Sequence, residues 1–369
     1  MPQCVFLTQG THSFRAWMRA FAIFLLVLFP SFLHAQTWTT VGMGGGGAEY
    51  APSISPLNSN LRFVGCDMSG WYRSADGGNT WNLLDFYQIS TEVDYGYNDG
   101  VMCPMAFHPT NANIVYGFGA QQDTQLNAPN LLVSNDGGQT WSVVPGANPA
   151  PWPAWGNTGG RVTLIYVDRG DANFILIGTD KGVWVSTNGG TSFSATTGTS
   201  GYVSGFMVDQ SSPVGNRTCY VGTSAGVFKS TNEGSSWTAA NTGLSTPANV
   251  LGFTGASTGT AGGTRLFAID GNSNKLYTST NASAWTLSSS ADTFAMVAGA
   301  DNDINTAYAT NNSNRTVWQT ANGGTSWSQV FVDVSPVANL FDGWIDFDLS
   351  FSGWGSPVDG LGVNSANSS

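Results

Sequence analysis

One eight-residue pattern recurs along this chain and limits the folds open to it more than any other feature. It combines Ser or Thr, then Asp or Asn two residues later, then Gly, then Ser or Thr followed by an aromatic residue. The five intact copies begin at Ser74, Ser134, Ser186, Ser230 and Thr320. A decayed copy, one residue short, spans Ser279–Trp285, and the closing aromatic residues are separated by 60, 52, 44, 48 and 42 positions. A unit that recurs every 40–50 or so residues is typical of propellers and solenoids, whose units bury their faces against one another.

The residue types in the pattern suit the turn of a β-hairpin. A short Asp or Asn side chain accepts hydrogen bonds from backbone N–H groups in a tight turn, and Gly supplies the positive φ that the turn needs. The hydroxyl groups tie the two strands together, and the aromatic ring packs beneath the hairpin. We therefore interpret five residues as structural rather than catalytic: Asp76, Asp136, Asn188, Asn232 and Asn322.

The segments between the repeats predict four antiparallel strands per unit. β-Branched and aromatic residues alternate between Gly- and Asn-containing turns, as in Asn113–Gly117, Thr140–Val144, Phe174–Gly178 and Gly182–Ser186. Four antiparallel strands make the blade of a β-propeller, so the predicted fold class is all-β. The six predicted full blades cover residues 48–85, 101–146, 160–199, 203–242, 249–289 and 294–332.

Both ends of the array predict an incomplete closing blade. Residues 37–41 have the sequence of a fourth strand, and residues 360–369 have that of a first strand and turn. The two would share a blade and so avoid an exposed sheet edge, but no residues supply its second and third strands. We therefore expect a seven-bladed parent protein and a chain truncated at its C-terminus.

The N-terminus predicts secretion. Arg15 and Arg19 precede the apolar run Ala20–Phe29, and the small residue Ala35 precedes Gln36, as in a cleaved signal peptide. The run is shorter than the ~20 residues that span a bilayer. We expect residues 1–35 to be a signal peptide and residues 36–369 to form a single propeller domain. The mature protein would be secreted, periplasmic or extracellular, with no membrane association after cleavage.

The composition limits the classes of ligand that this chain could bind. The formal net charge is −11 and only 9% of the residues are charged, whereas a nucleic-acid partner would require a basic surface. Beyond the predicted signal peptide the chain has three cysteines, Cys66, Cys103 and Cys219, and one histidine, His108. At most one disulfide could form, and no spacing suggests a zinc site. We predict no metal and no cofactor.

The repeated pattern is the Asp-box, or BNR, motif, and through it the chain resembles the N-terminal propeller of xyloglucanase-like (glycoside hydrolase family 74, GH74) proteins and, more distantly, sialidases. The segment Val64–Arg73 resembles the family's first-blade sequence T-D-x-G-G-x-Y-R, and Gly44–Gly47 resembles its glycine-rich start. The resemblance implies that Asp67 is the catalytic base. Two residues depart from the family pattern, because Cys66 stands in place of Thr and Ser69 in place of the first Gly.

Asp67 also has a purely structural explanation. Asp180 holds the same position in Gly178–Gly182 of another unit, so an Asp there is equally explained as a turn-forming residue. An inverting glycosidase needs a base and an acid about 6.5–9.5 Å apart. In the family that this chain resembles, the acid comes from a second propeller, so we expect this chain to lack its general acid.

Three long blade-to-blade connections place aromatic and acidic residues on the face opposite the repeated turns. They span residues 82–100, 142–160 and 328–355, and long loops on a rigid scaffold commonly carry function. Sugar rings stack on aromatic side chains, and carboxylates accept hydrogen bonds from sugar hydroxyls. The alternative is that the aromatic rings only pack the loops down. The predicted substrate-binding residues are Trp71, Tyr95, Tyr97, Trp152, Trp155 and Trp344.

Three functions fit these features. The first is a secreted glycoside hydrolase, or part of one, that acts on a xyloglucan-like β-glucan, with a second propeller in the full-length parent as a partner. The second is a non-catalytic extracellular propeller that binds a glycan or a protein, and the third is a structural or assembly propeller. The hypothesis of a sialidase has less support. The mature chain has no Arg-Ile-Pro element, and its only glutamates are Glu49, Glu92 and Glu233.

Overall fold

The computed structural model describes residues 49–66, 69–89, 103–119, 130–144, 162–289, 292–311 and 316–332. These stretches belong to one compact unit, Val41–Ser369. They consist of strands, turns and irregular connections, and no helix occurs in them. The described residues accordingly include no helix of the length and apolar character needed to cross a membrane.

The strands form six four-stranded antiparallel sheets, and strands adjacent in the chain are adjacent in the sheet. Blade 1 contains β1 (Glu49–Ile54), β2 (Arg62–Cys66), β3 (Gly70–Ser74) and β4 (Asn82–Leu83). Blade 2 contains β5 (Ala106–Phe107), β6 (Val115–Gly119), β7 (Asn130–Ser134) and β8 (Ser142–Val143). Blade 3 contains β9 (Val162–Asp168), β10 (Asp171–Thr179), β11 (Val183–Ser186) and β12 (Ser194–Ala195). Blade 4 contains β13 (Val203–Asp209), β14 (Thr218–Thr223), β15 (Gly226–Ser230) and β16 (Thr238–Ala239). Blade 5 contains β17 (Val250–Ser257), β18 (Thr264–Asp270), β19 (Lys275–Ser279) and β20 (Thr286–Ser289). Blade 6 contains β21 (Met296–Gly299), β22 (Ala307–Asn311), β23 (Thr316–Thr320) and β24 (Ser328–Val332).

The six sheets are arranged as the blades of a propeller ring. Successive first strands pack on one another, since β5 contacts β9, β9 contacts β13, β13 contacts β17 and β17 contacts β21. Each sheet falls inside one of the six predicted blade ranges, so the prediction of an all-β propeller with six four-stranded blades is confirmed. Residues 37–41 and 360–369, which carry the predicted closing blade, lie outside the described residues. That blade stays a prediction.

Turn hydrogen bonds make two strands of blade 2 differ from the sequence prediction. Its second strand begins at Val115 rather than Asn113, because the Asn113 carbonyl accepts a 2.8 Å hydrogen bond from Gly137 N in the repeated turn. Its fourth strand begins at Ser142 rather than Thr140. Thr140 belongs to the turn instead, where its N–H donates to Asp136 Oδ1 at 2.9 Å. The repeated turn therefore takes Thr140 from the strand that follows it, and it also bonds to the turn that precedes β6.

The hydrophobic core lies between neighbouring blades. The second strand of a blade contributes side chains to the clusters on both sides of that blade. In β10, Phe174, Ile175, Leu176 and Ile177 are all fully buried. Because side chains alternate along a strand, Ile175 and Ile177 pack in the cluster shared with blade 2. Phe174 and Leu176 pack in the cluster shared with blade 4. This double burial explains why the second strand is a continuous apolar run rather than an alternating one.

The aromatic residue that closes the repeated turn joins its blade to the preceding connection. Trp237 N donates a 2.9 Å hydrogen bond to the carbonyl of Thr197, which follows the last strand of blade 3. Trp285 N donates in the same way to Thr242 O at 2.8 Å. In blade 2 the acceptor is a side chain instead of a backbone carbonyl, because Trp141 N donates to Gln88 Oε1 at 3.0 Å. The repeat thus fixes blade against blade as well as strand against strand.

A network of charged side chains ties blades 3 to 6 together at their first-to-second turns. Arg217 Nε of blade 4 lies 3.0 Å from Asp168 Oδ2 of blade 3, and their side chains are only 4% and 0% exposed. The next residue of blade 3, Arg169, donates a hydrogen bond to Ser257 O of blade 5. Its guanidinium also lies 3.6 Å from Asp301 Oδ1 of blade 6. This end of the ring is therefore held by ion pairs between residues far apart in the sequence.

Candidate functional site

The two faces of the propeller are distinguished by their turns. Antiparallel strands make successive turns alternate between the two ends of a sheet. The repeated turns lie beside the first-to-second turns, because Gly77 N donates to Asn60 O at 3.0 Å and Gly189 N donates to Asn173 O at 2.9 Å. We name this the repeat face, after the turns within residues 74–81, 134–141, 186–193, 230–237, 279–285 and 320–327. The opposite face carries the second-to-third turns, among them the turns after Thr179, Thr223 and Asp270.

The two Asp side chains of the repeated turns, Asp76 and Asp136, accept hydrogen bonds within their own turns. Asp136 Oδ1 accepts from Ser134 Oγ at 2.7 Å and from Thr140 N at 2.9 Å. Asp136 Oδ2 accepts from Thr140 Oγ1 at 2.6 Å. Gly138 has φ +84° and its Cα approaches Phe63 so closely that a Cβ would lie 2.4 Å from that ring. Asp76 makes the matching bonds with Ser74 and Thr80 in blade 1.

The same turn forms without a charge where Asn replaces Asp. Asn188 Oδ1 accepts from Ser186 Oγ and from Ser192 N, both at 2.9 Å. Asn188 Nδ2 then donates to Ser192 Oγ at 2.9 Å, so the amide donates where the carboxylate of Asp136 accepts. Asn232 and Asn322 make equivalent bonds in blades 4 and 6. The turn therefore requires the geometry of the side chain rather than its charge.

Hydrogen bonding keeps the carboxylates of Asp76 and Asp136 ionised. The backbone N–H of Thr80, then the hydroxyls of Thr80 and Ser74, lower the pKa of Asp76 to about 2. For Asp136, burial acts to raise the pKa, but the hydrogen bonds from Thr140 and its neighbours outweigh it and the pKa again falls to about 2. A general acid or base works best with a pKa near the working pH. These two carboxylates are poorly suited to proton transfer near neutrality.

Most of the predicted site residues lie outside the described residues. This holds for Asp67, and also for Tyr95, Tyr97, Trp152, Trp155 and Trp344. The strands that flank Asp67 are described: β2 ends at Cys66 and β3 begins at Gly70, so the segment between them connects a second strand to a third. The ends of these strands lie at the opposite face, and the roles of the six residues stay predictions.

Trp71 is described, and it lies in the core. Its side chain is 0% exposed and packs in the cluster between blades 1 and 2. Trp71 pairs with Gly65 across the sheet, as Val183 pairs with Gly178 in blade 3. It therefore occupies a core position that a smaller apolar residue fills elsewhere. This placement differs from the predicted contact of Trp71 with substrate, because strand alternation turns the ring inward and leaves no surface for a sugar.

Two polar side chains on the described part of the opposite face are already engaged by neighbours. Asp270 is buried, and its carboxylate accepts hydrogen bonds from Asn272 N at 3.0 Å, from Ser273 Oγ at 3.2 Å and from the hydroxyl of Ser245. Asp180 faces Lys181 Nζ at 3.8 Å. Asp270 is therefore a turn-forming carboxylate, whereas Asp180 stays partly accessible.

An exposed aromatic residue, Tyr202, lies at the same face immediately before β13, and sequence reasoning missed it. Its connection is short, whereas long loops are the ones that commonly carry function. The available signal was an aromatic residue beside Gly201, just before the apolar start of a first strand.

The described residues also limit the chemistry. None of their His, Cys, Asp and Glu side chains come together in groups of three or more that could hold a metal ion. Cys66, Cys103 and Cys219 are buried, and burial raises the pKa of the Cys103 and Cys219 thiols. A buried thiol with a raised pKa is a poor nucleophile.

The sequence of this chain is similar to parts of two xyloglucanases. The xyloglucanase of Hypocrea jecorina is 27% identical over 185 residues, which are 48% of this chain and 21% of that enzyme. The xyloglucanase of Acetivibrio thermocellus is 30% identical over 167 residues, 42% of this chain and 18% of that enzyme. The chain is a distant homologue of the GH74 xyloglucanase propeller. It matches about a fifth of the length of these curated enzymes, and no protein-family model matches it.

Solved structures agree on the fold. A GH74 enzyme of Niastella koreensis is 25% identical and superimposes with a TM-score of 0.57, over 80% of this chain and 47% of that chain. A Ycf48 propeller bound to D1 peptide is 16% identical and superimposes with a TM-score of 0.51, over 78% of this chain and 83% of that chain. The propeller thus resembles both GH74 and Ycf48 propellers, and the second likeness concerns the fold alone.

Proposed function

We propose that this chain is the sugar-binding propeller of a secreted xyloglucanase-like glycoside hydrolase and that its ligand occupies the opposite face. The observation that carries the proposal is the sequence match to two xyloglucanases, because a fold by itself hosts many functions. The low charge and net negative balance of the chain suit a neutral polysaccharide better than an anionic one. The proposal includes export directed by residues 1–35 and a seventh blade closed by residues 37–41.

In this proposal the opposite face binds the glucan and Asp67 activates water. Asp76 and Asp136, the two Asp residues of the repeated turns, are held ionised by hydrogen bonds within those turns, so neither suits the role of a general base. Asp67 would accept a proton from the attacking water, and Trp152, Trp155 and Trp344 would stack on sugar rings. The general acid would come from a second propeller of the parent protein, so the 369-residue chain would bind a β-glucan and hydrolyse little of it.

A second candidate is a non-catalytic propeller that binds a protein segment or assists assembly. The observation that favours it is the fold likeness to a propeller solved with a bound peptide. The Ycf48 propeller, solved with a bound peptide, superimposes over 83% of its own length, against 47% for the GH74 enzyme of Niastella koreensis. This candidate predicts no affinity for xyloglucan.

The deciding experiment is isothermal titration of the mature chain with soluble xyloglucan, with dextran as the control polysaccharide, together with an assay of reducing ends. The proposal predicts binding to xyloglucan alone, with little release of reducing ends. Asp67→Asn should keep the affinity within about twofold, since a neutral isostere changes charge but not stacking, and should remove any residual hydrolysis. Absence of xyloglucan binding would refute the proposal and favour the second candidate. Rapid hydrolysis by the isolated chain would refute the assignment of the acid to a second propeller.

A further inference from the structure

We infer that Asn188 is a site of spontaneous deamidation in the folded propeller, and that Asn322, which has the same local sequence, is protected. Each residue begins the sequence Asn-Gly-Gly-Thr-Ser, at residues 188–192 and 322–326. An Asn followed by Gly is prone to deamidation, because a Gly without a side chain leaves its backbone nitrogen free to attack the Asn side chain. The inference does not depend on the proposed function.

The reaction consumes one water molecule and releases ammonia. A base removes the proton of Gly189 N, and this nitrogen attacks Asn188 Cγ. The new Cγ–N bond closes a succinimide ring, the bond from Cγ to Nδ2 breaks, and the leaving nitrogen takes a proton from water to depart as ammonia. Water then opens the ring. Cleavage of the new Cγ–N bond gives Asp, whereas cleavage of the original peptide bond gives isoaspartate.

The two turns match in their own hydrogen bonds. Asn188 Oδ1 accepts from the N–H four residues later at 2.9 Å, and its Nδ2 donates to the hydroxyl of that same residue at 2.9 Å. Asn322 makes the same two bonds at 2.9 Å and 2.8 Å. In both turns the N–H of the following Gly donates to a carbonyl of the neighbouring first-to-second turn at 2.9 Å. Hydrogen bonding within the turns therefore predicts equal rates for the two residues.

The cover over the reacting nitrogen differs between the two turns. Gly323 is buried, and a Cβ there would lie 3.0 Å from Arg265 Nε and 3.1 Å from Ile304 O. Gly189 is half-buried, and among the described residues a Cβ there would have only Asn173 Oδ1 within 4 Å, at 3.5 Å. The side chain of Arg265 in blade 5 thus lies against the repeated turn of blade 6. It must move before that turn opens, and the cost of a local opening depends on such packing.

The fold accommodates one of the two products. An Asp at position 188 has the geometry of Asp136, whose Oδ2 accepts from the hydroxyl four residues later at 2.6 Å. Isoaspartate adds a methylene group to the backbone and so changes the spacing on which these bonds depend. Deamidation of Asn188 therefore yields a propeller with one more negative charge and an intact turn, together with an isoaspartate form of lower stability.

The test follows deamidation of the native chain at mildly alkaline pH by peptide mapping with mass spectrometry, beside a sample held in concentrated urea. We expect Asn188 to react at least about threefold faster than Asn322 in the native chain, and within about twofold of it in urea. Asn232 is the internal control, because its turn has Glu233 in place of Gly. It should react far more slowly than Asn188 in both samples.

A variant tests the cause. Arg265→Met should raise the native rate at Asn322 to within about twofold of that at Asn188. The matched control is Arg62→Met, because Arg62 lies beside the turn of blade 1, with its Nη2 at 3.7 Å from a Cβ at Gly77. This control should leave both rates unchanged, and thermal melting checks that each variant is folded.

The outcomes decide the inference. Equal native rates at Asn188 and Asn322, or a faster rate at Asn322, would overturn it. Unequal rates in urea would assign the difference to local sequence and would also overturn it. A folded Arg265→Met chain with an unchanged ratio of the two rates would refute the cover by Arg265. If Arg265→Met does not fold, the comparison of native and urea samples of the wild-type chain decides.

Discussion

Replacement of Arg217 by Met should destabilise the propeller more than any change on its surface. The carboxylate of Asp168 is fully buried and has Arg217 Nε at 3.0 Å as its ionic partner, and Gln210 Nε2 at 2.5 Å as a second donor. Removal of one partner of a buried ion pair leaves an uncompensated charge and destabilises proteins by about 3–5 kcal/mol. Arg217 also donates to the carbonyls of Gln210 and Ser212, which would lose these bonds. We therefore expect Arg217→Met to lower the free energy of unfolding by about 3–5 kcal/mol.

The measurement is urea unfolding followed by circular dichroism, with the m-value fitted for each variant. With m of about 3 kcal/mol/M, a loss of about 3–5 kcal/mol lowers the midpoint by about 1–1.7 M. The matched control is Lys181→Met. Its ion pair with Asp180 spans 3.8 Å and the lysine side chain is 62% exposed, so the change should amount to less than about 1 kcal/mol.

A double variant tests the cause of the loss. Asp168→Leu combined with Arg217→Met removes both charges, and it should recover at least about 1 kcal/mol relative to Arg217→Met alone. A loss of less than about 1 kcal/mol for Arg217→Met, at unchanged m, would refute the view that this pair holds blades 3 and 4 together. A double variant less stable than the single one would show that packing, rather than charge, dominates the site.

Two further predictions concern the repeated turns. Asp136→Ala should lower the free energy of unfolding by about 1–3 kcal/mol through lost turn hydrogen bonds, with xyloglucan affinity unchanged in titration; a loss of affinity at wild-type stability would contradict the structural role. The folded pKa of Asp76 and Asp136 is about 2, below the unfolded value of about 4. A depressed pKa stabilises the fold above the unfolded pKa, and that stability is lost as the pH falls towards 2. Because Asn forms the same turn at Asn188, the double variant Asp76→Asn/Asp136→Asn should lose less stability than wild type between about pH 5 and 2 in acid titration by circular dichroism. Parallel acid curves for the two proteins would show that these carboxylates do not set the acid sensitivity.

The sequence predicts the blades well because the repeated turn is a local device. Its hydrogen bonds link residues two to four positions apart, as between Ser134, Asp136 and Thr140, so the pattern and the structure coincide. Strand limits are less predictable, because the turn draws Thr140 away from the following strand. Trp71 points inward because its strand packs against the neighbouring blade. A local motif does not specify that packing partner.

Contacts between residues that are far apart in the sequence could not be predicted from the sequence alone. Arg169 and Ser257 are 88 positions apart, and nothing in either local sequence marks them as partners. Tyr202 was missed for a related reason, since its exposure depends on the anchoring of Gly201 and Ser224 rather than on loop length. The long connections attract attention in the sequence, whereas Tyr202 lies in a short one.

The central claim is that the ligand occupies the opposite face, and hydrogen–deuterium exchange with and without a xyloglucan oligosaccharide tests it most directly. Slower exchange is expected for amides at the second-to-third turns and the connection before β13, around residues 179–183, 199–203 and 223–226. Amides of the repeated turns at residues 134–141, 186–193 and 230–237 should exchange at unchanged rates. Protection confined to the repeated turns, or no change at the opposite face on a ligand that binds, would contradict the account.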